Sequence, residues 1–109
     1  MDLADGTFDL ANRLRRPETF GLADQMRRAA VSVPANLAEG HGRRSRGEYI
    51  RYVSIANGSL RELETHLQLL ERRRLAGHEE VERLPRLADE VGRLLTGLHR
   101  RLVDMSRPH

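Results

Sequence analysis

The sequence predicts an all-α protein, an antiparallel up-down four-helix bundle with a short first helix. In three long segments, apolar residues recur at steps of three and four, which is helical spacing. Phe, Tyr and Trp make up only 4% of the residues, so aliphatic side chains must fill the core, and this suits helices better than sheets. The length of 109 residues matches one ordinary domain, and we expect residues 1–109 to form it.

The clearest pattern lies in the middle of the chain and predicts a helix over residues 46–75. Ser45 and Glu48 form a capping-box pattern at its start. Gly77 suits the left-handed conformation that often follows a helix end. The heptad seam of this helix consists of Tyr49, Val53, Ala56, Leu60, Leu63, Leu67 and Leu70.

Three further helices are predicted, over residues 3–15, 20–41 and 79–105. Because an interior proline removes a backbone hydrogen bond, we expect a bend at Pro34 and either a kink or a late helix start at Pro85. The first helix would be about 18 Å long by the rise per residue. It is therefore expected to leave apolar surface on its neighbours uncovered.

Composition excludes several kinds of chemistry. The chain has no Cys, which rules out disulfides, thiolate metal sites and thiol nucleophiles. Its five His residues show no paired spacing, and no glycine-rich phosphate loop is present, so we expect no catalytic residues, no metal, no cofactor and no enzyme activity. Without a membrane-length apolar stretch or a signal-peptide pattern, a cytoplasmic protein with no membrane partner is expected.

All 19 basic residues are Arg, and the formal net charge is +3. Guanidinium groups bind phosphate well, although a genome's base composition could equally explain the absence of Lys. In an up-down bundle, the first and third turns share one end, while the second turn and the C-terminus share the other. The candidate nucleic-acid-binding residues, clustered near these ends, are Arg15, Arg16, Arg43, Arg44, Arg46, Arg72, Arg73, Arg74, Arg100 and Arg101.

A polar stripe runs beside the apolar face of the second helix and has counterparts on the third. We interpret it as a buried hydrogen-bond network that fixes helix register, in which Glu39→Ala would cost about 1 to 3 kcal/mol of stability. The alternative is a groove for a ligand or nucleic acid. The stripe comprises Gln25, Arg28, Ser32, Asn36 and Glu39, with Ser59 and Glu62 opposite.

The segment 25–40, QMRRAAVSVPANLAEG, and the segment 55–64, IANGSLRELE, closely resemble a bacterial four-helix-bundle family. That family is named for proteins encoded within intervening sequences of 23S rRNA genes, and the resemblance covers about residues 8–103. Its members usually carry further residues before the position of Met1, which complete the first helix. The family is also similar to the accessory variability protein of diversity-generating retroelements, a basic pentamer that binds reverse transcriptase and nucleic acid.

The resemblance implies a four-helix bundle that assembles as a homopentamer, with DNA or RNA and a reverse transcriptase as further partners. The leading hypothesis is therefore a non-enzymatic, oligomeric scaffold or accessory protein. It would bind nucleic acid, or an enzyme that acts on nucleic acid, through its Arg-rich surface. The alternative is a structural module for protein–protein assembly with no nucleic-acid role.

Overall fold

The computed structural model of the protein describes residues 2–14, 17–75 and 77–107. Four α-helices follow one another: α1 (Asp2–Arg13), α2 (Phe20–His41), α3 (Arg46–Arg73) and α4 (His78–Ser106). A short 3₁₀ turn, Pro17–Thr19, precedes α2. The described residues contain no strand. Each helix packs against its neighbours in the order α1, α2, α3, α4 and back to α1, which confirms the predicted up-down four-helix bundle.

The core follows the predicted apolar seams. On α3, Val53, Ala56, Leu60, Leu63 and Leu67 are at most 5% exposed. On α2 the buried residues include Met26, Ala29 and Val33, and on α4 they include Leu84, Ala88 and Leu95. Because none of these side chains is aromatic, close packing of the helices rather than aromatic stacking holds the bundle together.

Two glycines, Gly40 and Gly6, lie where neighbouring helices approach closely. A Cβ placed on Gly40 of α2 would lie 2.7 Å from the Cβ of Tyr52 on α3. A Cβ placed on Gly6 of α1 would lie 2.7 Å from Cδ2 of Leu84 on α4. Neither glycine has a positive φ, so each is needed for space between helices rather than for backbone freedom.

The helix ends correct two predictions. Ser45 caps α3 as expected, with its Oγ accepting a hydrogen bond from the backbone N–H of Glu48 at 3.1 Å. However, α3 ends at Arg73 rather than at residue 75, and Arg74, not Gly77, takes the left-handed conformation, with φ of 52°. Gly77 instead has an extended conformation and precedes the first residue of α4.

Both internal prolines lie within continuous helices. α2 continues through Pro34 and α4 through Pro85, so the expected late start of the fourth helix is wrong. Next to Pro34, the amide of Asn36 donates to the carbonyl of Ser32 at 2.8 Å, and next to Pro85 the Nε of Arg86 donates to the carbonyl of Glu82 at 3.2 Å. These side chains give backbone carbonyls near each proline an additional partner.

The first helix is short, as predicted. α1 has 12 residues, or about 18 Å by the helical rise, in a molecule that is 55 Å long. Its predicted last residue, Arg15, lies outside the described residues, and the helix ends at Arg13. None of the helices, over the residues described, has the length and apolar character to cross a membrane.

Candidate nucleic-acid interface

One end of the bundle is formed by residues 35–57 and 95–107, which contain the end of α2, the start of α3 and the end of α4. Arg46 joins the two segments, because its guanidinium donates to the carbonyl of Met105 at 2.6 Å. We call this region the basic end. It carries seven arginines against three carboxylates, whereas the rest of the chain carries twelve arginines against thirteen carboxylates. The whole positive excess of the protein therefore lies at the basic end.

Arg43 is held in place at the turn between α2 and α3. Its guanidinium donates to Glu39, lies 3.0 Å from the hydroxyl of Tyr52 and 3.9 Å from a carboxylate oxygen of Glu48. Tyr52, followed by Glu39 and Glu48, raises the pKa of Arg43 above its ordinary value, so this side chain stays charged at all physiological pH values. Two carboxylates near one guanidinium also mean that Arg43 contributes little uncompensated charge.

Other arginines of the basic end carry charge that no carboxylate offsets. Arg44, Arg100 and Arg101 are exposed and make no ion pair with any described residue. Arg51 lies over the ring of Tyr52 at 5.6 Å, a cation–π contact that leaves its charge available. These four side chains can bind phosphate groups without first breaking a salt bridge.

Arg51 and Arg107 were missed as candidate residues because each stands alone in the sequence rather than in a cluster. Counting charges separately for the two ends of the predicted bundle would have found both. Arg107 lies 4.0 Å from Asp104, at the limit of an ion pair. With Arg51 and Arg107, the basic end has two more cations than the sequence clusters indicated.

The opposite end of the bundle, where α3 ends and α4 begins, combines arginines with nearby glutamates. Arg72, Arg73 and Arg74 are exposed where α3 ends, as expected. The backbone of Glu71 belongs to the same turn, and Glu79 and Glu82 follow in the first turns of α4. Arg15 and Arg16 lie outside the described residues, so their approach to Arg72 through Arg74 stays a prediction.

Part of the polar stripe forms a small cluster between α2 and α3. The hydroxyls of Ser32 and Ser59 share a hydrogen bond of 2.6 Å, and Asn36 donates to the Ser32 hydroxyl at 2.8 Å. All three side chains are half-buried. This arrangement ties the two helices in register, which is the architectural role proposed for the stripe.

The other members of the stripe lie at the surface. Gln25 and Arg28 are exposed, and no hydrogen bond links them to Ser32, Asn36 or Ser59 within the described residues. Glu39 is exposed and pairs with Arg43. Glu62 is also exposed, and its Oε1 lies 3.4 Å from Nε2 of His66, one helical turn away. These contacts do not make a buried network of the whole stripe.

A pair of substitutions separates the two parts of the stripe. We expect Ser59→Ala to lower the free energy of unfolding by about 1 kcal/mol, because the Ser32 hydroxyl loses a half-buried partner. Glu39→Ala should have a smaller effect, since an exposed ion pair contributes little. Urea denaturation of both variants measures the difference. If Glu39→Ala lowered the free energy of unfolding more than Ser59→Ala, the result would support the buried network that the sequence predicts.

The comparisons with known proteins agree with the fold. The family model described as 23S rRNA-intervening sequence protein matches residues 1–97. A crystal structure of a protein of unknown function from the S23 ribosomal protein family of Bacteroides thetaiotaomicron is similar, with a TM-score of 0.73 and 25% sequence identity. The alignment covers 89% of this chain and 97% of that one. The search of curated proteins finds no match. The chain belongs to the 23S rRNA-intervening sequence protein family.

Proposed function

We propose that this protein is a non-enzymatic accessory protein that binds nucleic acid through the basic end of its bundle. One observation carries the proposal: the positive excess is confined to one end, where Arg44, Arg100 and Arg101 have no carboxylate partner among the described residues. Such a surface attracts a polyanion and gains further free energy when bound counterions are released. The name of the family makes RNA the first nucleic acid to test.

A titration at two salt concentrations tests this function. We expect labelled RNA and DNA of random sequence to bind the protein with similar affinities at low salt, because contacts to phosphate carry no sequence information. The affinity should then fall steeply as salt rises, since the slope of log K against log salt is about −0.9 per phosphate contact on B-DNA and about −0.7 on single strands. Fluorescence anisotropy measures both the affinity at low salt and its decrease as salt rises. Absence of binding at low salt would refute the proposal.

Self-association belongs to the same proposal. In a homopentamer, five basic ends would lie on one assembly and increase its field for a long polyanion. A reverse transcriptase is a suitable protein partner, because it brings nucleic acid to the same surface. We propose the cytoplasm as the place where the assembly acts.

The alternative function, a structural module for protein assembly, is favoured by a specific apolar surface on α4. Leu94 is 72% exposed and Met105 is 60% exposed. Both lie beyond the part of α4 against which α1 packs, which is near Leu84. Leu94 and Met105 are eleven positions apart and so share one side of α4, and apolar side chains exposed along one side of a helix can contribute to a contact surface between proteins.

Substitutions on this surface test whether it mediates assembly. We expect the double variant Leu94→Glu with Met105→Glu to dissociate the wild-type oligomer, because two charges would have to be buried in its interface. Val31→Glu is the control, since Val31 is an exposed apolar residue of α2, at 47%. Light scattering gives the molar mass of the wild type, the double variant and the control. A wild-type monomer, or an oligomer that survives the double substitution, would contradict assembly through this surface of α4.

A further inference from the structure

α1 covers only the first part of the side of α4 against which it packs. Gly6 of α1 lies against Leu84, since a Cβ on Gly6 would be 2.7 Å from Cδ2 of Leu84. The last turns of α1 and the first turns of α4 line one cavity, so the two helices are antiparallel. Asp2 therefore lies only about 6 Å further along α4 than Gly6, by the helical rise. Among the described residues, α1 reaches no further than about Ala88, whereas α4 continues to Ser106.

Beyond the start of α1, the space between α2 and α4 is an open groove. Both helices pack against α3, but over the described residues they do not pack against each other. Half-buried side chains, Leu37 on α2 with Val91 and Leu98 on α4, cover the core here in place of a fourth helix. From Val91 to Met105 the groove is about 21 Å long by the helical rise. A helix of about four turns fits this length.

α4 has a second apolar seam on the side that borders this groove. Its first seam, with Leu84, Ala88 and Leu95, is buried in the core of the bundle. The second seam continues from the side that faces α1 and alternates steps of four and three, the spacing by which two helices pack together. One arginine interrupts it. We call it the outer seam of α4, and it consists of Leu87, Val91, Leu94, Leu98, Arg101 and Met105.

Two unpaired charges accompany the outer seam, one near each end of the groove. Glu90 and Arg101 are exposed, and neither makes an ion pair with a described residue. They are eleven positions apart, which is close to three full turns, so they lie on the same side of α4. One copy of the chain therefore presents an acid and a base along one apolar seam. This arrangement is complementary to a second copy that lies in the opposite direction.

We propose that a second copy of this chain fills the groove, with its α4 packed antiparallel against α4 of the first copy along the outer seams. When Leu94 lies opposite Leu98 of the other copy, Glu90 of each copy lies beside Arg101 of the other. A two-fold dimer thus has two ion pairs between its copies, one on each side of the axis. A parallel arrangement would instead place Arg101 beside Arg101.

This inference rests on the alternative function, protein assembly, and names a second copy as the partner. A contact in which both copies use the same surface closes with two copies. The molar mass therefore distinguishes this dimer from the homopentamer of the leading proposal.

An exchange of the two charges tests the antiparallel pairing. We expect Glu90→Arg and Arg101→Glu each to weaken dimerisation about tenfold, because two exposed ion pairs become two contacts between like charges. The double variant, Glu90→Arg with Arg101→Glu, should dimerise as the wild type does. An equimolar mixture of the two single variants should do the same, because each supplies the charges that the other lacks. Sedimentation equilibrium over a range of concentrations measures these affinities.

Glu71→Arg is the matched control, because it changes the net charge as Glu90→Arg does but lies on α3 at the other end of the bundle. It should dimerise as the wild type does. Circular dichroism checks that all variants remain folded.

Three results would overturn the inference: a wild-type mass of five chains, single variants that dimerise normally, or a double exchange that fails to restore the dimer. Assembly through α4 would still stand in these cases if Leu94→Glu with Met105→Glu dissociated the oligomer. A wild-type protein that stays monomeric at all concentrations would contradict both the pairing and assembly through α4.

Discussion

Replacing Arg43, Arg44 and Arg46 together by glutamine is expected to weaken nucleic-acid binding at least tenfold at low salt. These residues connect α2 to α3 at the basic end, where arginines outnumber carboxylates by seven to three. Each lost phosphate contact lowers the slope of log K against log salt by about one. Because Arg43 is already paired with Glu39 and Glu48, the slope of the triple variant should fall by about one to two, as measured by titrations over a range of salt concentrations.

The matched control is the triple replacement of Arg72, Arg73 and Arg74 by glutamine. It removes the same charge from the other end of the bundle, near Glu71, Glu79 and Glu82. We expect its affinity to change about twofold or less, because that end has no positive excess to lose. Equal losses from both triple variants would show that the charge acts as a diffuse field and not through the basic end. Circular dichroism checks that both variants remain folded.

The fold could be predicted from the sequence because apolar periodicity directly reports the buried side of a helix. The seam from Val53 to Leu70 is buried on α3 as expected. The end of α3 was harder to predict, because tertiary packing decides it. Leu75 packs against the core, and its N–H donates to the carbonyl of Leu70 at 3.0 Å, which places Arg74 in the left-handed position. Burial of Leu75 offsets the cost of this conformation for a residue with a side chain.

The candidate site could be predicted only in part. The clustering of arginines in the sequence predicts Arg43, Arg44 and Arg46 as candidates, but it does not distinguish the two ends of the bundle, because arginine clusters occur near both. The difference between the ends depends on where the carboxylates lie in space, which local clustering does not show. The polar stripe likewise follows helical spacing over its whole length, yet among its described members on α2 only Ser32 hydrogen-bonds to a member on α3, Ser59, while Asn36 reaches Ser32 on its own helix. Spacing alone does not determine which members of a stripe are covered by the neighbouring helix.

Replacing Gly40 by alanine is expected to lower the free energy of unfolding by about 2 kcal/mol. The added Cβ would lie 2.7 Å from the Cβ of Tyr52 and 3.1 Å from Cδ1 of Tyr49. A Cβ atom cannot rotate away, so α2 and α3 must separate, and overpacking of this kind costs about 1 to 3 kcal/mol. For a domain of this size, the melting temperature should fall by about 10 °C.

Gly58→Ala is the matched control for this substitution, because it adds the same methyl group within a helix but meets no atom within 4 Å. It should stabilise the protein by about 0.5 to 1 kcal/mol through the higher helix propensity of alanine. Because Gly40→Ala should lower the free energy of unfolding and Gly58→Ala should raise it, the pair distinguishes the cost of crowding between helices from the gain in helix propensity. Both melts should be measured at one protein concentration, since self-association shifts the midpoint. If Gly40→Ala melted at or above the wild-type temperature, α2 and α3 could not approach each other at Gly40 as closely as the structure shows.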